Sequence, residues 1–183
     1  MRRIVINTML IAFSSVALGK EISGPQVGDK LVPFAMRGVL DDEAGKPIDL
    51  VSDAGGRPLL IYFLHERTRQ SVALARQVLN DTAARKADGL DSGLVLLASD
   101  AAAMEDWVKM ATQVLPRGVP IGISSDGADG PPAYNLSRKV AVTVIVAKEG
   151  RVVANFALAQ PSVNDDAAKI AEAVATVLSG TKR

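Results

Sequence analysis

Two adjacent segments decide the fold: Pro58-Leu59-Leu60-Ile61-Tyr62-Phe63-Leu64, and the polar segment that follows, His65-Glu66-Arg67-Thr68-Arg69-Gln70-Ser71. The first segment is apolar throughout, which is typical of a strand buried on both faces. From Ser71 to Ala83 the apolar residues recur at helical spacing. A strand, a short polar loop and a helix in this order predict an α/β sheet that binds ligands at the carboxyl ends of its strands.

The composition indicates a single globular domain. The chain has 183 residues, of which 48% are hydrophobic and 22% are charged, so it is long and apolar enough to bury a core. Lys and Arg number 21 against 20 for Asp and Glu, and aromatic residues make up only 4%. Neither the charge balance nor the supply of stacking rings indicates a nucleic-acid partner.

The residue inventory also restricts the chemistry. The chain contains no cysteine and a single histidine. These counts exclude disulfides, thiolate nucleophiles, cysteine-ligated metals and the catalytic zinc sites built from several histidines. The loop Asp126–Gly130 faintly resembles a calcium loop, but it lacks the further oxygen ligands and the closing Glu of that motif. We therefore expect neither a metal nor a cofactor.

The first residues resemble an export signal. Met1–Arg3 is basic, Ile4–Leu18 is mostly apolar, and small residues precede a cleavage site after Gly19. The predicted organisation is a signal peptide at 1–19, a linker at 20–29 and the main domain at 30–180. We expect an exported protein, periplasmic or secreted.

Two alternatives exist for this N-terminal segment: an uncleaved anchor helix, and a start codon placed too early. The apolar stretch is too short for a membrane-spanning helix, which needs about 20 residues. No cysteine follows that would carry a lipid anchor. Contact with a membrane is therefore expected only transiently, through the signal segment.

Hydrophobic periodicity and turn signals predict the element order β-β-β-α-β-α-β-β-β-α. The strands are predicted at 31–40, 47–50, 58–64, 94–98, 118–125, 140–147 and 151–158, and the helices at 71–83, 101–115 and 163–178. Met104, Trp107 and Met110 lie at helical spacing and are predicted to belong to the core. This order is typical of a mixed sheet covered by helices.

Four short segments, in this order, match the motifs of a known family: Val27–Phe34, Asp42–Leu50, Ala133–Leu136 and Thr143–Val153. Together they resemble the thioredoxin-like superfamily, in its peroxiredoxin and redoxin branch of alkyl hydroperoxide reductases and thiol-specific antioxidants. The similarity runs from about Val27 to Leu178. It implies an α/β, three-layer fold with a mixed central sheet flanked by helices and an N-terminal β extension.

The resemblance also locates the chemistry of the family, and there this chain departs from it. Peroxiredoxins carry Thr-x-x-Cys where the central strand meets its helix, and the cysteine is the peroxidatic nucleophile. Here the motif reads Thr68-Arg69-Gln70-Ser71, and Ala141 occupies the position of the cis-proline or active-site arginine. A serine hydroxyl titrates far above a thiol, whose pKa is about 8.5, and it lacks the peroxide chemistry of sulfur. The redox residues are thus absent, and no catalytic residue is assigned.

Ser71 and His65 allow two interpretations. One is a nucleophile and its base, although neither an orienting acid nor a G-x-S-x-G turn is evident. The other is that Ser71 bonds backbone N–H groups at the start of the helix. Taken alone, His65 is either a metal ligand or pH sensor, or a satisfied histidine at a strand end.

The same loop contains a candidate anion site. Arg67, Thr68, Arg69 and Ser71 surround a helix N-terminus, which favours anions. The alternative is a solvated loop. We therefore interpret the chain as a redox-inactive, exported binding or scaffold module for an unknown protein or a small anionic ligand. The alternative is a peroxiredoxin-like oxidoreductase whose thiol a partner supplies, or unrelated chemistry at Ser71, so whether it is an enzyme stays open.

Overall fold

The computed structural model describes residues 21–179, and seven of their segments form one mixed sheet. The strands are β1 (Met36–Gly38), β2 (Pro47–Ile48), β3 (Leu59–Leu64), β4 (Asp91–Leu96), β5 (Ile121–Ser124), β6 (Val142–Lys148) and β7 (Arg151–Leu158). Their order across the sheet is β2-β1-β5-β4-β3-β6-β7. The segment predicted as the central strand is β3, which pairs in parallel with β4 and antiparallel with β6.

Within residues 21–179, four α-helices accompany the sheet: α1 (Leu50–Ala54), α2 (Arg69–Ala83), α3 (Ala101–Met110) and α4 (Val163–Ser179). Short 3₁₀ turns occur at Asp41–Glu43, Lys86–Asp88, Gly127–Asp129 and Pro132–Tyr134. The predicted α/β class and the predicted order of strands and long helices are confirmed. The short helix α1 was not predicted. It forms because the Asp49 carboxylate accepts hydrogen bonds from the first backbone N–H groups, and Gly55 ends it in the left-handed conformation.

The two faces of β3 are buried in separate apolar layers, because successive side chains of a strand point to opposite faces. Leu60, Tyr62 and Leu64 belong to the cluster that contains residues of α2, α3 and α4. Leu59, Ile61 and Phe63 belong to a second cluster, with aromatic and aliphatic residues of the N-terminal segment, α1 and the turn that follows β5. The sheet is thus covered on both faces, as the predicted three-layer fold requires.

Two predictions for α3 are wrong. The helix ends at Met110 and not at Leu115, and Met110 is 78% exposed. Met104 and Val108 do point into the core, being 5% and 0% exposed. A helix turns about 100° per residue, so Met110 lies about 200° around the axis from Val108 and faces away from the sheet.

Residues 1–20 and 180–183 lie outside the described part of the chain, and with them the predicted signal peptide at 1–19 and the last residue of the predicted domain. Within residues 21–179, no helix has both the length and the apolar character needed to cross a membrane.

Two buried tyrosines fix the loops around β3 through their hydroxyl groups. Tyr62 is 0% exposed and donates a hydrogen bond of 2.8 Å to the backbone oxygen of Ser71, in the first turn of α2. Tyr134 is 1% exposed and donates one of 3.0 Å to the backbone oxygen of Val32 on the other face. Burial raises the pKa of both phenols well above the usual range, so they remain neutral donors.

We expect Tyr62→Phe to lower the free energy of unfolding by about 1 kcal/mol, because one buried hydrogen bond is lost without loss of ring packing. Amide hydrogen exchange should become faster in the first turn of α2. Tyr134→Phe is the matched control, since it removes the same kind of bond but should accelerate exchange near Val32 instead. Equal exchange patterns in the two variants would contradict this assignment.

Candidate functional site

The predicted site lies at the carboxyl end of β3, where the loop His65–Thr68 leads into α2. The same edge of the sheet carries the start of α3 after β4 and the segment that enters β6. His65 N and Glu66 N donate hydrogen bonds of 3.0 and 3.1 Å to the backbone oxygen of Ala141. The loop is therefore joined directly to the segment before β6.

Ala141 is 3% exposed, and its own backbone groups are occupied. Its N–H donates a hydrogen bond of 2.9 Å to the oxygen of Leu158, while its oxygen accepts from the two loop amides. Cis peptide bonds are absent from residues 21–179. A ligand at this position therefore finds no free backbone group of Ala141 to pair with.

Thr68 and Ser71 form the N-terminal cap of α2. The Thr68 hydroxyl accepts a hydrogen bond of 3.0 Å from Ser71 N, and the two hydroxyl oxygens lie 2.5 Å apart. Ser71 is 0% exposed. This is the normal role of threonine at a helix start, where a side chain satisfies a backbone N–H that has no partner within the helix.

The two arginines of the loop differ in their surroundings. The guanidinium carbon of Arg67 lies 5.4 Å from the centroid of the Trp107 ring, which places the cation against the indole. Arg69 is the first residue of α2 and is exposed. Of the cations in the predicted anion site, Arg67 therefore has a packing partner on α3, and Arg69 faces solvent beside the helix N-terminus.

Arg138 precedes Ala141 by three residues and is directed elsewhere. It forms an ion pair of 2.5 Å with Asp129, and both side chains are exposed. The guanidinium lowers the pKa of the Asp129 carboxyl. Because this pair lies in water, it indicates little about stability or function.

His65 belongs to a different network from Ser71. Its Nε2 lies 2.9 Å from the hydroxyl oxygen of Thr143, which in turn lies 2.6 Å from the hydroxyl oxygen of Ser23. Ser23 and Thr143 are each 0% exposed. Thr143 is paired in register with Phe63, whose side chain belongs to the cluster on the face opposite α2. The histidine and the helix cap therefore lie on opposite faces of the sheet.

The N-terminal segment completes the network around His65. Ser137 N donates a hydrogen bond of 3.0 Å to the Ser23 hydroxyl, and the Ser137 hydroxyl donates one of 2.8 Å to Glu21. The amide nitrogen of Asn155 donates to the backbone oxygens of Ser23 and Pro25, at 2.9 and 2.8 Å. Residues 21–25, which were predicted as part of a linker, are thus attached to β6, to β7 and to the loop between β5 and β6.

Burial lowers the pKa of His65 to about 4, against the opposing effect of a backbone hydrogen bond to Ser137. The ring is therefore neutral at physiological pH. A neutral imidazole is able to act as a base or a metal ligand, but its Nε2 is already taken by Thr143.

Sequence reasoning located the loop and the cap but missed Ser23 and Thr143. The structure brings Thr68 and Ser71 together, and it does not bring His65 into hydrogen-bond contact with Ser71. Thr143 carried a weak signal, since it is the only polar residue in the apolar run 140–147. For Ser23 no local signal existed, because its partner is 120 residues away in the chain.

Within residues 21–179, no group of three or more histidine, aspartate or glutamate side chains is close enough together to hold a metal ion. In the loop Asp126–Gly130, a 3₁₀ turn spans Gly127–Asp129 and the Asp129 carboxylate is paired with Arg138.

The titration of His65 gives a pH-dependent contribution to stability. Above about pH 6.5 the ring is neutral in the folded and the unfolded state. Below that value the unfolded state binds a proton, whereas the folded state does so only near its pKa of about 4. Stability should therefore fall as the pH falls through this window, by about 3 kcal/mol in total.

Urea unfolding of the wild type and of His65→Gln at several pH values measures this contribution. The difference in unfolding free energy between the two proteins should change across the window, since carboxylate titration is common to both. A difference that does not vary with pH would show that His65 is not held neutral by folding.

No protein-family model and no curated protein sequence matches the chain. Solved structures do match. A "putative Thiol:disulfide interchange protein DsbE" from Chlorobium tepidum has a TM-score of 0.66 at 19% identity, over 84% of this chain and 98% of that one. Peroxidoxin BcpB from Mycobacterium tuberculosis has a TM-score of 0.58 at 17% identity, over 86% of this chain and 99% of that one. The exposed lipoprotein thioredoxin Etrx1 from Streptococcus pneumoniae has a TM-score of 0.57 at 18% identity, over 77% of this chain and 99% of that one.

Each of these proteins is similar to almost the whole described part of the chain, and each aligns over nearly its own full length. Identities below 20% establish a shared fold and leave the activity of this chain to be argued from its own residues. The order of strands, the buried β3 and the capped α2 agree with that fold. The chain thus has the thioredoxin-like fold, and it contains no cysteine.

Proposed function

We propose that the protein is an exported, redox-inactive thioredoxin-like module that binds an anionic group at the N-terminus of α2. The observation that carries the proposal is the state of Ser71. Its hydroxyl is fully buried and bonded to Thr68, so the residue at the loop-to-helix position stabilises a helix and is not poised for attack. The full sequence supplies no thiol that would replace it.

The anion site is built from the parts of this loop that are not consumed by the cap. The N–H groups of Arg69 and Gln70 are in the first turn of α2, where a helix provides no intrahelical acceptor. The helix dipole adds positive potential at the same point, and the exposed Arg69 adds a full charge. An exposed carboxylate or phosphate group of a peptide or small molecule suits this arrangement.

The export part of the proposal depends on the sequence of residues 1–19, with its basic start, apolar stretch and small residues before the cleavage site. The name of one structural neighbour, an exposed lipoprotein thioredoxin, places that protein outside the cytoplasm. The cysteine-free composition is compatible with either redox environment.

Thermal unfolding in inorganic phosphate tests the anion site. We expect the melting temperature of the wild type to rise by about 2–4 °C at saturating millimolar phosphate, relative to sodium chloride of equal ionic strength. Arg69→Ala should abolish the increment. Arg76→Ala is the control, because Arg76 is exposed on the same helix but lies well beyond its first turn.

An increment that persists in Arg69→Ala, or one that grows without saturating, would reflect general salting-out by phosphate and would contradict a specific site. Loss of the increment in both variants would point to long-range charge alone and would also contradict it.

Redox inactivity is tested separately with Ser71→Cys. We expect no peroxide or disulfide turnover by the wild type above background, because it has no sulfur nucleophile. The cysteine at 71 should have a lower thiol pKa than one introduced by Ala75→Cys, which is equally buried but lies one turn further along the same helix. Ultraviolet absorbance of the thiolate measures both pKa values.

Turnover by the wild type alone would overturn the redox-inactive proposal. Turnover that appears only after a thiol-containing partner protein is added would instead favour the alternative, an oxidoreductase that borrows its thiol. Equal thiol pKa values at the two buried positions 71 and 75 would contradict a positive potential at the start of α2.

A further inference from the structure

The hydrogen bonds around His65 form a chain through four residues. Ser137 N donates to the Ser23 hydroxyl, the Ser23 and Thr143 hydroxyl oxygens are bonded to each other, and Thr143 is bonded to Nε2 of His65. The direction of each bond in this chain therefore depends on its neighbours.

The direction of every bond follows from the fixed groups. The backbone N–H of Ser137 only donates, so the Ser23 hydroxyl accepts from it and directs its own proton to Thr143. The Thr143 hydroxyl then donates to Nε2 of His65, which is the unprotonated nitrogen of the neutral ring. In this assignment all three side chains are satisfied, and no buried side-chain nitrogen or oxygen in residues 21–179 lacks a partner.

Protonation of Nε2 reverses this order. The new N–H donates to Thr143, so the Thr143 hydroxyl must turn its own proton towards Ser23. Ser23 then accepts from both sides, and its own proton is left without an acceptor at a position with 0% exposure. A buried hydroxyl without a partner destabilises the folded state, in addition to the cost of a buried charge.

The segment that bears this cost is residues Glu21–Gln26, here called the N-terminal strap. Its other attachments come from Asn155, from Asn135 and from the Ser137 side chain. Asn155 donates to two of its backbone oxygens, and Gly24 N donates to the oxygen of Asn135 at 3.5 Å. Gly24 itself lies against Thr143 and Ile145, close enough that an added Cβ would be 3.2 Å from Thr143. The strap covers these two residues of β6.

We propose that the N-terminal strap is an acid-released cover, which lifts from β6 and the loop 135–139 when His65 is protonated. This goes beyond anion binding at α2, because it concerns the opposite face of the sheet and does not depend on Arg69. Release relieves the conflict at Ser23, hydrates the charged imidazole and uncovers Thr143 and Ile145.

The other charged groups near His65 do not account for release of the strap at acid pH. On the strap, Glu21 is bonded to Ser137 and lies 4.0 Å from Lys139. In the loop before β6, Arg138 is paired with Asp129, and on the loop of His65 itself Glu66 is exposed and Arg67 packs on Trp107. Two carboxylates bond to the strap or its partners, Glu21 to Ser137 and Asp29 to the backbone N–H of Gln26. The His65→Gln variant keeps both of them, so it separates their effect from that of His65.

Hydrogen exchange of the full chain provides the test, with rates corrected for intrinsic exchange at each pH. If opening the strap returns His65 to its ordinary pKa, the opening constant should rise about twentyfold between about pH 7 and about pH 5. The strap amides should show this rise while opening at a lower free energy than the amides of β3 and β4, which exchange only when the whole fold opens. Glu21→Gln should keep the pH response, and His65→Gln should remove it.

An unchanged exchange rate in the wild type, or an equal rise in His65→Gln, would overturn the proposal. A second measurement does not depend on the folding of that variant. His65 is the only histidine in the chain, so its ring proton is a single resolved signal in an NMR titration. This titration should give a His65 pKa well below the ordinary value of about 6.5 in the folded protein, and a pKa in the ordinary range would overturn the proposal.

Discussion

Strand β3 has hydrogen-bonded neighbours on both edges and apolar layers on both faces. No residue from Leu59 to Leu64 is more than 2% exposed, and the strand lies between β4 and β6 for its full length. Such a position excludes charged side chains, because each would lose its hydration without gaining a partner. Charged and titratable groups are therefore expected only where the chain leaves the strand, and His65 is the first residue after it.

The alternation of side chains along β3 then divides this polar segment between two faces. Tyr62 points towards α2 and bonds the backbone of Ser71, whereas Phe63 is paired in register with Thr143 and faces the other layer. His65 continues the direction of Phe63, and the helix cap stands above Tyr62. A histidine and a serine six residues apart, which together suggest a base and a nucleophile, thus serve separate hydrogen-bond networks.

What could be predicted from the sequence was local. The apolar run of β3 requires burial, and the helical spacing that begins at Ser71 predicts a helix after the polar loop, since both signals act within a few residues. The order of strands and helices then limits the topology to a mixed sheet. Met110 was misplaced because the spacing of apolar residues does not reveal which of them faces the sheet when the helix is short.

The network around His65 could not be predicted because it joins parts of the chain that only the completed sheet brings together. Ser23 contributes a hydroxyl to Thr143 from 120 residues away, and Ser137 contributes an amide to Ser23 from 114 residues away. Neither serine stands out by its neighbours in the sequence. Their importance arises from burial, because a hydroxyl with 0% exposure must be paired, whereas an exposed one is satisfied by water.

The exchange of sulfur for oxygen at position 71 also changes what the start of α2 offers to a ligand. A thiolate there would occupy the positive end of the helix with a charge of the protein's own. The Ser71 hydroxyl is neutral and is paired with Thr68, so it leaves that potential uncompensated. The amides of Arg69 and Gln70 and the Arg69 guanidinium add to it at the surface. A negative charge supplied from outside therefore gains the stabilisation that a thiolate would otherwise take, which is the physical reason why the proposed ligand is an anion.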